Sequence, residues 1–200
     1  SAASDVYKRQ PCPFKDGYVS GIRMTMEQAP EYVYAIRELG KEYASDIKLY
    51  VGFEAEYIPE FFKEQKAMFD RLGCDYMIMG QHFMKSEQTG PYTGTPTDDE
   101  SRIRKYVDTV IEGMKTGMYS YLAHPDLINY QGLDSVYEWE MTRMCKALKE
   151  LDIPLEINML GISAGKHYPT ERFWCIPHDI GNKVILGLSL IHISEPTRLR

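Results

Sequence analysis

Six polar side chains suited to metal or phosphate chemistry follow short apolar runs of the sequence. They are Glu54 and Glu56 in GFEAEY, His82 in GQHF, His124 and Asp126 in AHPD, and Asn158 in LEIN. Imidazole nitrogens combined with carboxylate oxygens, without a thiolate, suit zinc, manganese or iron. Three successive apolar runs each end in Glu or His, and this repetition favours a divalent-metal site.

Each of these residues alone has an ordinary structural explanation. A histidine after a strand is often a hydrogen-bonded packing residue, and a glutamate in that position is usually solvated. The tripeptide HPD can simply form a turn or begin a helix. The metal site is therefore predicted from the recurrence of the pattern, and packing roles remain the alternative.

The apolar runs alternate with amphipathic stretches, which is typical of βα units around a parallel sheet. The predicted strands are residues 47–53, 76–80, 119–123, 154–157 and 183–187. In a parallel βα barrel the C-terminal ends of the strands open on one face, where active sites are built. We therefore expect the six polar side chains to converge.

Helical spacing of apolar residues predicts four helices, one before the first strand and three between successive strands. The first has Tyr32, Ile36, Leu39 and Tyr43 on one face, and the second runs from about Pro59 to Leu72. The third follows possible caps at Asp98, Asp99 and Ser101, and it presents Ile103, Tyr106, Val107, Val110, Ile111 and Met114. The fourth is lined by Val136, Trp139, Met144, Leu148 and Leu151. Between the second strand and the third helix, the Gly- and Pro-rich loop 85–99 is long enough to suggest a functional role.

The composition, with 44% hydrophobic and 26% charged residues, predicts one soluble globular domain. A net charge of -6 without a basic stretch argues against nucleic acid and favours a small substrate. The four cysteines form no C-x-x-C pair, which indicates reduced thiols. No run of about 18 apolar residues and no signal-peptide core is found, so neither membrane association nor export is expected and a cytoplasmic location is predicted.

The two ends of the chain differ from its middle. Residues 1–10 (SAASDVYKRQ) and 189–200 (SLIHISEPTRLR) lack helical or strand periodicity and resemble translated adapter or vector sequence. Residues 11–188 are then expected to be a partial domain whose true termini are missing. The alternative is a pair of ordinary disordered tails.

An ordered series of motifs carries a family resemblance. GFEAEY, DYMIMGQHF, YLAHPDLI and PLEINMLGI with HYPTERFW resemble the histidinol-phosphatase branch of the polymerase-and-histidinol-phosphatase (PHP) family. The resemblance spans nearly all of residues 11–187. It implies an α/β fold, specifically an incomplete (β/α)7-type barrel that lacks its first strands and the end of the last.

The resemblance also implies roles for individual residues. Glu54, His82 and His124 match catalytic metal ligands of the family's multinuclear site, with Glu54 in the bridging position. Glu56, Asp126 and Asn158 match neighbours that would support those ligands. The intact enzyme would hold roughly two or three divalent ions of zinc, manganese or iron.

Two departures from the family pattern concern the metal ligands. The family opens with a strand that bears an H-x-H pair, followed by a further ligand histidine, and this chain contains neither. It closes with D-A-H after a strand like KVILG, whereas this chain continues as GLSLIH. His192 lies near the expected histidine, but the aspartate is absent, so His192 is not assigned as a ligand.

Phosphate recognition calls for a cation. Arg23 and Lys166 match basic positions of the resembling sequences and are predicted to bind substrate, the alternative being solvated surface charges. Ser163 stands where those sequences frequently have arginine, and loss of a bidentate clamp leaves the substrate open.

The leading hypothesis for function is hydrolysis of L-histidinol phosphate in histidine biosynthesis. Two alternatives remain open. One is a PHP phosphoesterase for another phosphorylated metabolite or a nucleotide, and the other is a non-catalytic module that has kept the fold without its metals.

Overall fold

A computed structural model describes residues 11–14 and 16–187. The predicted terminal tails, together with His192, lie outside this part of the chain. The strands are β1 (Gly52–Ala55), β2 (Tyr76–Met79), β3 (Leu155–Asn158) and β4 (Val184–Gly187). The helices are α1 (Gln28–Glu42), α2 (Phe62–Leu72), α3 (Glu100–Lys115), α4 (Asp134–Glu150), α5 (Met159–Ser163) and α6 (Glu171–Ile180).

All strand pairing between the named strands is parallel. β1 pairs with β2, with Gly52 opposite Tyr76, and β3 pairs with β4, with Leu155 opposite Val184. Leu122 forms parallel bridges to Met79 and to Leu155, and it thereby links the two pairs. The predicted α/β class with a parallel sheet is confirmed, whereas the incomplete (β/α)7-type barrel stays a prediction.

Two strand predictions need correction. The first strand was expected over 47–53, but β1 begins at Gly52, and Ile47 and Tyr50 are 53% and 55% exposed. Within residues 11–14 and 16–187, pairing with β2 begins at Gly52 opposite Tyr76, and the residues before Val51 stay outside the strand. The expected third strand, 119–123, contributes the bridges at Leu122 rather than a regular strand.

Backbone hydrogen bonds nevertheless hold this third segment between its neighbours. Ser120 N donates to Met77 O at 2.8 Å, and Leu122 N donates to Pro154 O at 3.1 Å. The segment therefore carries His124 to the same edge of the sheet as the ends of β1 and β2.

The core lies between the sheet and its helices. The predicted face of α3 is confirmed, because Ile103, Tyr106, Val107, Val110 and Met114 are at most 1% exposed. Asp99 begins this helix as predicted, and its carboxylate accepts a hydrogen bond from Ser101 N at 2.8 Å.

Two predicted helix faces are correct only in part, since Met144 and Leu148 of α4 are buried and Tyr32 and Ile36 of α1 pack against the core. Trp139 is 68% exposed, because the buried side of α4 is formed by Tyr137, Met141, Met144 and Leu148. On α1 the buried residues are Ala29 and Val33, while Leu39 and Tyr43 are exposed. Short α5 and Pro177-containing α6 are absent from the sequence prediction.

Among the described residues, no helix combines the length and the apolarity that crossing a bilayer requires.

Candidate metal centre

Three chain segments deliver the central residues of the candidate site to one edge of the sheet. Glu54 belongs to β1, His82 lies three residues after β2, and His124 follows the bridge residue Leu122. His124 has a positive φ of 32°, which is uncommon for a residue other than glycine. Its backbone N–H donates to Glu156 Oε2 at 2.9 Å, and this contact holds the unusual backbone in place.

Both imidazoles approach the same carboxylate oxygen. Glu54 Oε1 lies 3.0 Å from His124 Nε2 and 3.3 Å from His82 Nε2. One potential ligand atom from each of the three residues lies within 4.8 Å of the other two. The two histidines are each 5% exposed, so the cluster is shielded from bulk water.

Glu56 favours one tautomer of His82. Glu56 Oε1 lies 3.3 Å from His82 Nδ1, an electrostatic contact longer than an ideal hydrogen bond. A carboxylate beside Nδ1 favours a proton on that nitrogen, which leaves the Nε2 lone pair directed at Glu54. Two electron-rich atoms then face each other, and a cation between them would relieve their repulsion.

The donor set fits a divalent ion. Nitrogen and oxygen ligands bound to one tetrahedral zinc at 2.0–2.1 Å lie roughly 3.4 Å apart, close to the separations found here. One carboxylate with two neutral imidazoles, leaving a coordination position open, is a typical catalytic zinc arrangement. Glu54, His82 and His124 are therefore the residues that would hold such an ion.

A second buried carboxylate supports the opposite side of the cluster. Glu156 Oε2 accepts from the backbone of His124 and, at 3.0 Å, from Asn158 Nδ2. Asn158 Oδ1 in turn accepts from Gly161 N at 2.8 Å and thereby caps α5. Asn158 thus contacts the carboxylate that holds His124, and its role in supporting the metal ligands stays a prediction. Glu156 was missed, although an acidic residue within the apolar run PLEIN was the available signal.

Asp126 accepts hydrogen bonds at the start of α6. Its Oδ2 accepts from Thr170 N at 2.7 Å and from Thr170 Oγ1 at 3.2 Å. Thr170 is the N-cap residue of α6, so Asp126 secures the start of that helix. Burial raises the pKa of Asp126, and the hydrogen bonds from Thr170 partly oppose that rise.

We expect Asp126→Ala to lower the free energy of unfolding by about 1–3 kcal/mol, because the partly buried N–H of Thr170 loses its acceptor. Urea unfolding followed by circular dichroism measures the change. Asp70→Ala is the control, since Asp70 forms an exposed ion pair with Lys66 that should contribute little. Equal unfolding midpoints for the two variants would contradict the assignment.

The two predicted phosphate ligands occupy different environments. Arg23 is 3% exposed, and its guanidinium contacts Glu56 Oε2 and Glu87 Oε2, both at 2.6 Å. The alternative of a solvated surface charge is therefore wrong for Arg23. Lys166 is exposed between α5 and α6. Phosphate binding by either residue stays a prediction.

A cavity of about 450 Å³ opens beside the cluster. It is lined by polar groups of Glu54, His124, Glu156 and Asn158 and by apolar surface of Phe53, Ile78 and Leu186. Tyr121 also contributes, and burial raises the pKa of its hydroxyl, which stays neutral at physiological pH. The volume is in the range of small-molecule sites.

Comparison with known proteins identifies the family. Residues 22–159 match the PHP domain family, and this segment is more than half of the chain. The chain belongs to the PHP domain family. This membership confirms the resemblance seen in the sequence motifs, and the matched segment includes all three residues of the cluster.

A curated relative extends the comparison. The "Probable histidinol-phosphatase" of Deinococcus radiodurans is 27% identical over 124 residues, which are 58% of this chain and 46% of the relative. The chain thus spans less than half the length of that relative.

Two crystal structures share the fold. A Listeria monocytogenes protein assigned as the histidinol phosphatase HisK has a TM-score of 0.70 at 17% identity, covering 90% of this chain and 80% of its own. Histidinol phosphate phosphatase from Lactococcus lactis, complexed with zinc, L-histidinol and phosphate, has a TM-score of 0.62 at 21% identity, covering 86% and 70%. At these identities the similarity establishes a common fold.

Proposed function

We propose that this PHP domain is part of a metal-dependent phosphatase that hydrolyses L-histidinol phosphate to L-histidinol and phosphate. The observation that carries the proposal is the approach of two buried imidazoles to one oxygen of Glu54 beside a small-molecule-sized cavity. The histidinol-phosphatase names of the relatives support this substrate. We propose a cytoplasmic enzyme of histidine biosynthesis.

Phosphate-ester hydrolysis needs strong charge stabilisation, because the uncatalysed reaction is among the slowest known in biology. Divalent ions supply a water whose pKa is lowered, to about 7 in the best-known zinc case, and they neutralise phosphoryl charge. Glu54 would hold the ions through its carboxylate. His82 and His124, as neutral imidazoles, would add no negative charge to repel the substrate.

Three ligand residues suffice for one ion but not for the two or three proposed. Within the described residues the cluster contains Glu54, His82 and His124, so further ligands must come from elsewhere in a complete enzyme. We therefore propose that residues 11–188 are a partial domain. The 200 residues by themselves should have negligible phosphatase activity.

Another phosphorylated metabolite or a nucleotide is the second candidate substrate. Ser163, where resembling sequences often have arginine, is exposed, and its hydroxyl donates to Leu160 O at 3.2 Å. A hydroxyl cannot replace a bidentate guanidinium clamp on phosphate. A substrate whose phosphate is held mainly by metal ions and Lys166 would tolerate that change.

The test is a phosphate-release assay on the complete gene product, after chelation and again after reloading with Zn²⁺ or Mn²⁺. We expect metal-dependent hydrolysis, with kcat/KM highest for L-histidinol phosphate in a panel of sugar phosphates and nucleotides. Faster hydrolysis of another member of the panel would reject the substrate. A metal-loaded protein that hydrolyses none of them would favour a non-catalytic module.

A further inference from the structure

Arg23 lies at the far end of a buried chain of charges that leads to the candidate metal centre. Its Nη2 contacts Glu56 Oε2 at 2.6 Å, Glu56 Oε1 lies 3.3 Å from His82 Nδ1, and His82 Nε2 faces Glu54. We infer that Arg23 is a positioning residue that fixes His82 for metal binding through Glu56, and not a ligand of substrate phosphate. The inference rests on the proposed metal site.

The charges around Arg23 oppose phosphate binding. Glu56 and Glu87 both contact its guanidinium at 2.6 Å, and the three side chains are between 1% and 4% exposed. One positive and two negative groups leave this buried trio with a net negative charge. An approaching phosphate dianion would meet two carboxylates and would have to displace at least one of them from a short, charge-assisted contact.

Contacts beyond the trio keep Arg23 in place. Tyr18 Oη donates to Glu87 Oε1 at 3.1 Å, and Glu87 belongs to the long loop 85–99. Burial lowers the pKa of Arg23, but attraction to Glu56 and the hydrogen bond to Glu87 outweigh that effect and raise it overall. The guanidinium is therefore a permanently charged clamp between the loop and the residue that follows β1.

Removal of Arg23 should affect His82 through Glu56. A carboxylate that is 1% exposed cannot stay in place without its cation, since an uncompensated buried charge is strongly unfavourable. If Glu56 moves, His82 Nδ1 loses the neighbouring carboxylate that favours its tautomer and restrains its ring. Loss of such a supporting partner typically weakens metal binding about 10–100-fold.

Zinc affinity distinguishes the two roles of Arg23. We would measure Zn²⁺ binding to the 200-residue chain by competition with a chromophoric chelator, for unaltered protein, Arg23→Gln, Glu56→Gln and both together. We expect Arg23→Gln to raise the Kd about 10–100-fold and the two changes to be non-additive, because they act on the same contact. The matched control is Arg104→Gln, which removes an exposed ion pair with Glu100.

Inorganic phosphate provides the opposing measurement. Its affinity for Zn²⁺-saturated protein should be the same with and without Arg23→Gln. Unchanged zinc affinity combined with weaker phosphate binding would overturn the inference and restore Arg23 as a phosphate ligand. Unchanged affinity for both would overturn it too, because Arg23 would then have no role at the site.

Ring ¹⁵N chemical shifts of His82 test the positioning without metal. We expect a predominantly Nδ1-protonated ring in the unaltered chain and mixed tautomers in Arg23→Lys. Lysine keeps the positive charge of Arg23 but lacks the planar guanidinium fork. This variant replaces Arg23→Gln in the test if Arg23→Gln does not fold. An identical tautomer in both proteins would contradict the inference. The proposed function fails if the complete gene product binds no zinc, whereas the tautomer of His82 tests the Arg23–Glu56–His82 chain independently of metal binding.

Discussion

Replacing Glu54 by glutamine is expected to weaken Zn²⁺ binding by about 100-fold or more, beyond the usual cost of losing a supporting residue. Glu54 Oε1 is the atom that both imidazoles approach, at 3.0 and 3.3 Å. The amide of glutamine removes the negative charge and replaces one oxygen with a hydrogen-bond donor. Chelator competition on the 200-residue chain measures the effect.

Controls for Glu54→Gln come from the same chain. Glu64→Gln, exposed on α2, makes the same chemical change away from the cluster and should leave zinc affinity unchanged. His82→Ala and His124→Ala should each lower bound metal, and in the complete enzyme they should lower turnover as well. Full zinc binding by Glu54→Gln and by both alanine variants would identify the cluster as packing residues and end the metal assignment.

Gly80→Ala is expected to lower Zn²⁺ affinity about 10–100-fold, although it removes no ligand. A Cβ at Gly80 would collide with the carboxylate of Glu54 and lie 2.9 Å from His82 Cε1. The carboxylate is flexible enough to turn aside, but in doing so it would leave both imidazoles. One added methyl group should therefore separate the ligands.

Gly21→Ala is the matched control for Gly80→Ala, because a Cβ at Gly21 would meet no atom within 4 Å. Zinc affinity is measured by chelator competition, and the urea midpoint is measured in parallel to separate metal loss from unfolding. Unchanged zinc affinity in a folded Gly80→Ala protein would mean that Glu54 is not held where the structure has it.

The positions of the cluster residues could be predicted because parallel strands end on one face. Apolar runs followed by Glu54, His82 and His124 are visible in the sequence, and the parallel register brings them together. Their roles as ligands stay predictions. Arg23 was harder to interpret, because its partners Glu56 and Glu87 are 33 and 64 residues away and no local pattern links them.

The predicted boundaries of elements were wrong where apolar residues are exposed. The run from Ile47 to Phe53 has the composition of a strand, but pairing with β2 begins at Gly52, so Tyr50 remains at the surface. Trp139 was likewise predicted to line the buried face of its helix, but it is exposed. Hydrophobicity indicates which residues can be buried, whereas the available neighbour decides which of them are.

Glu156 and Gly187 lie close together in the β3–β4 pair, and a Cβ at residue 187 would overlap the Glu156 carboxylate. The two positions should therefore covary across PHP relatives. A relative with any side chain at 187 has to shorten or redirect residue 156. The backbone N–H of its His124 counterpart then needs another acceptor, so a substitution at 187 should be accompanied by a compensating change near that histidine.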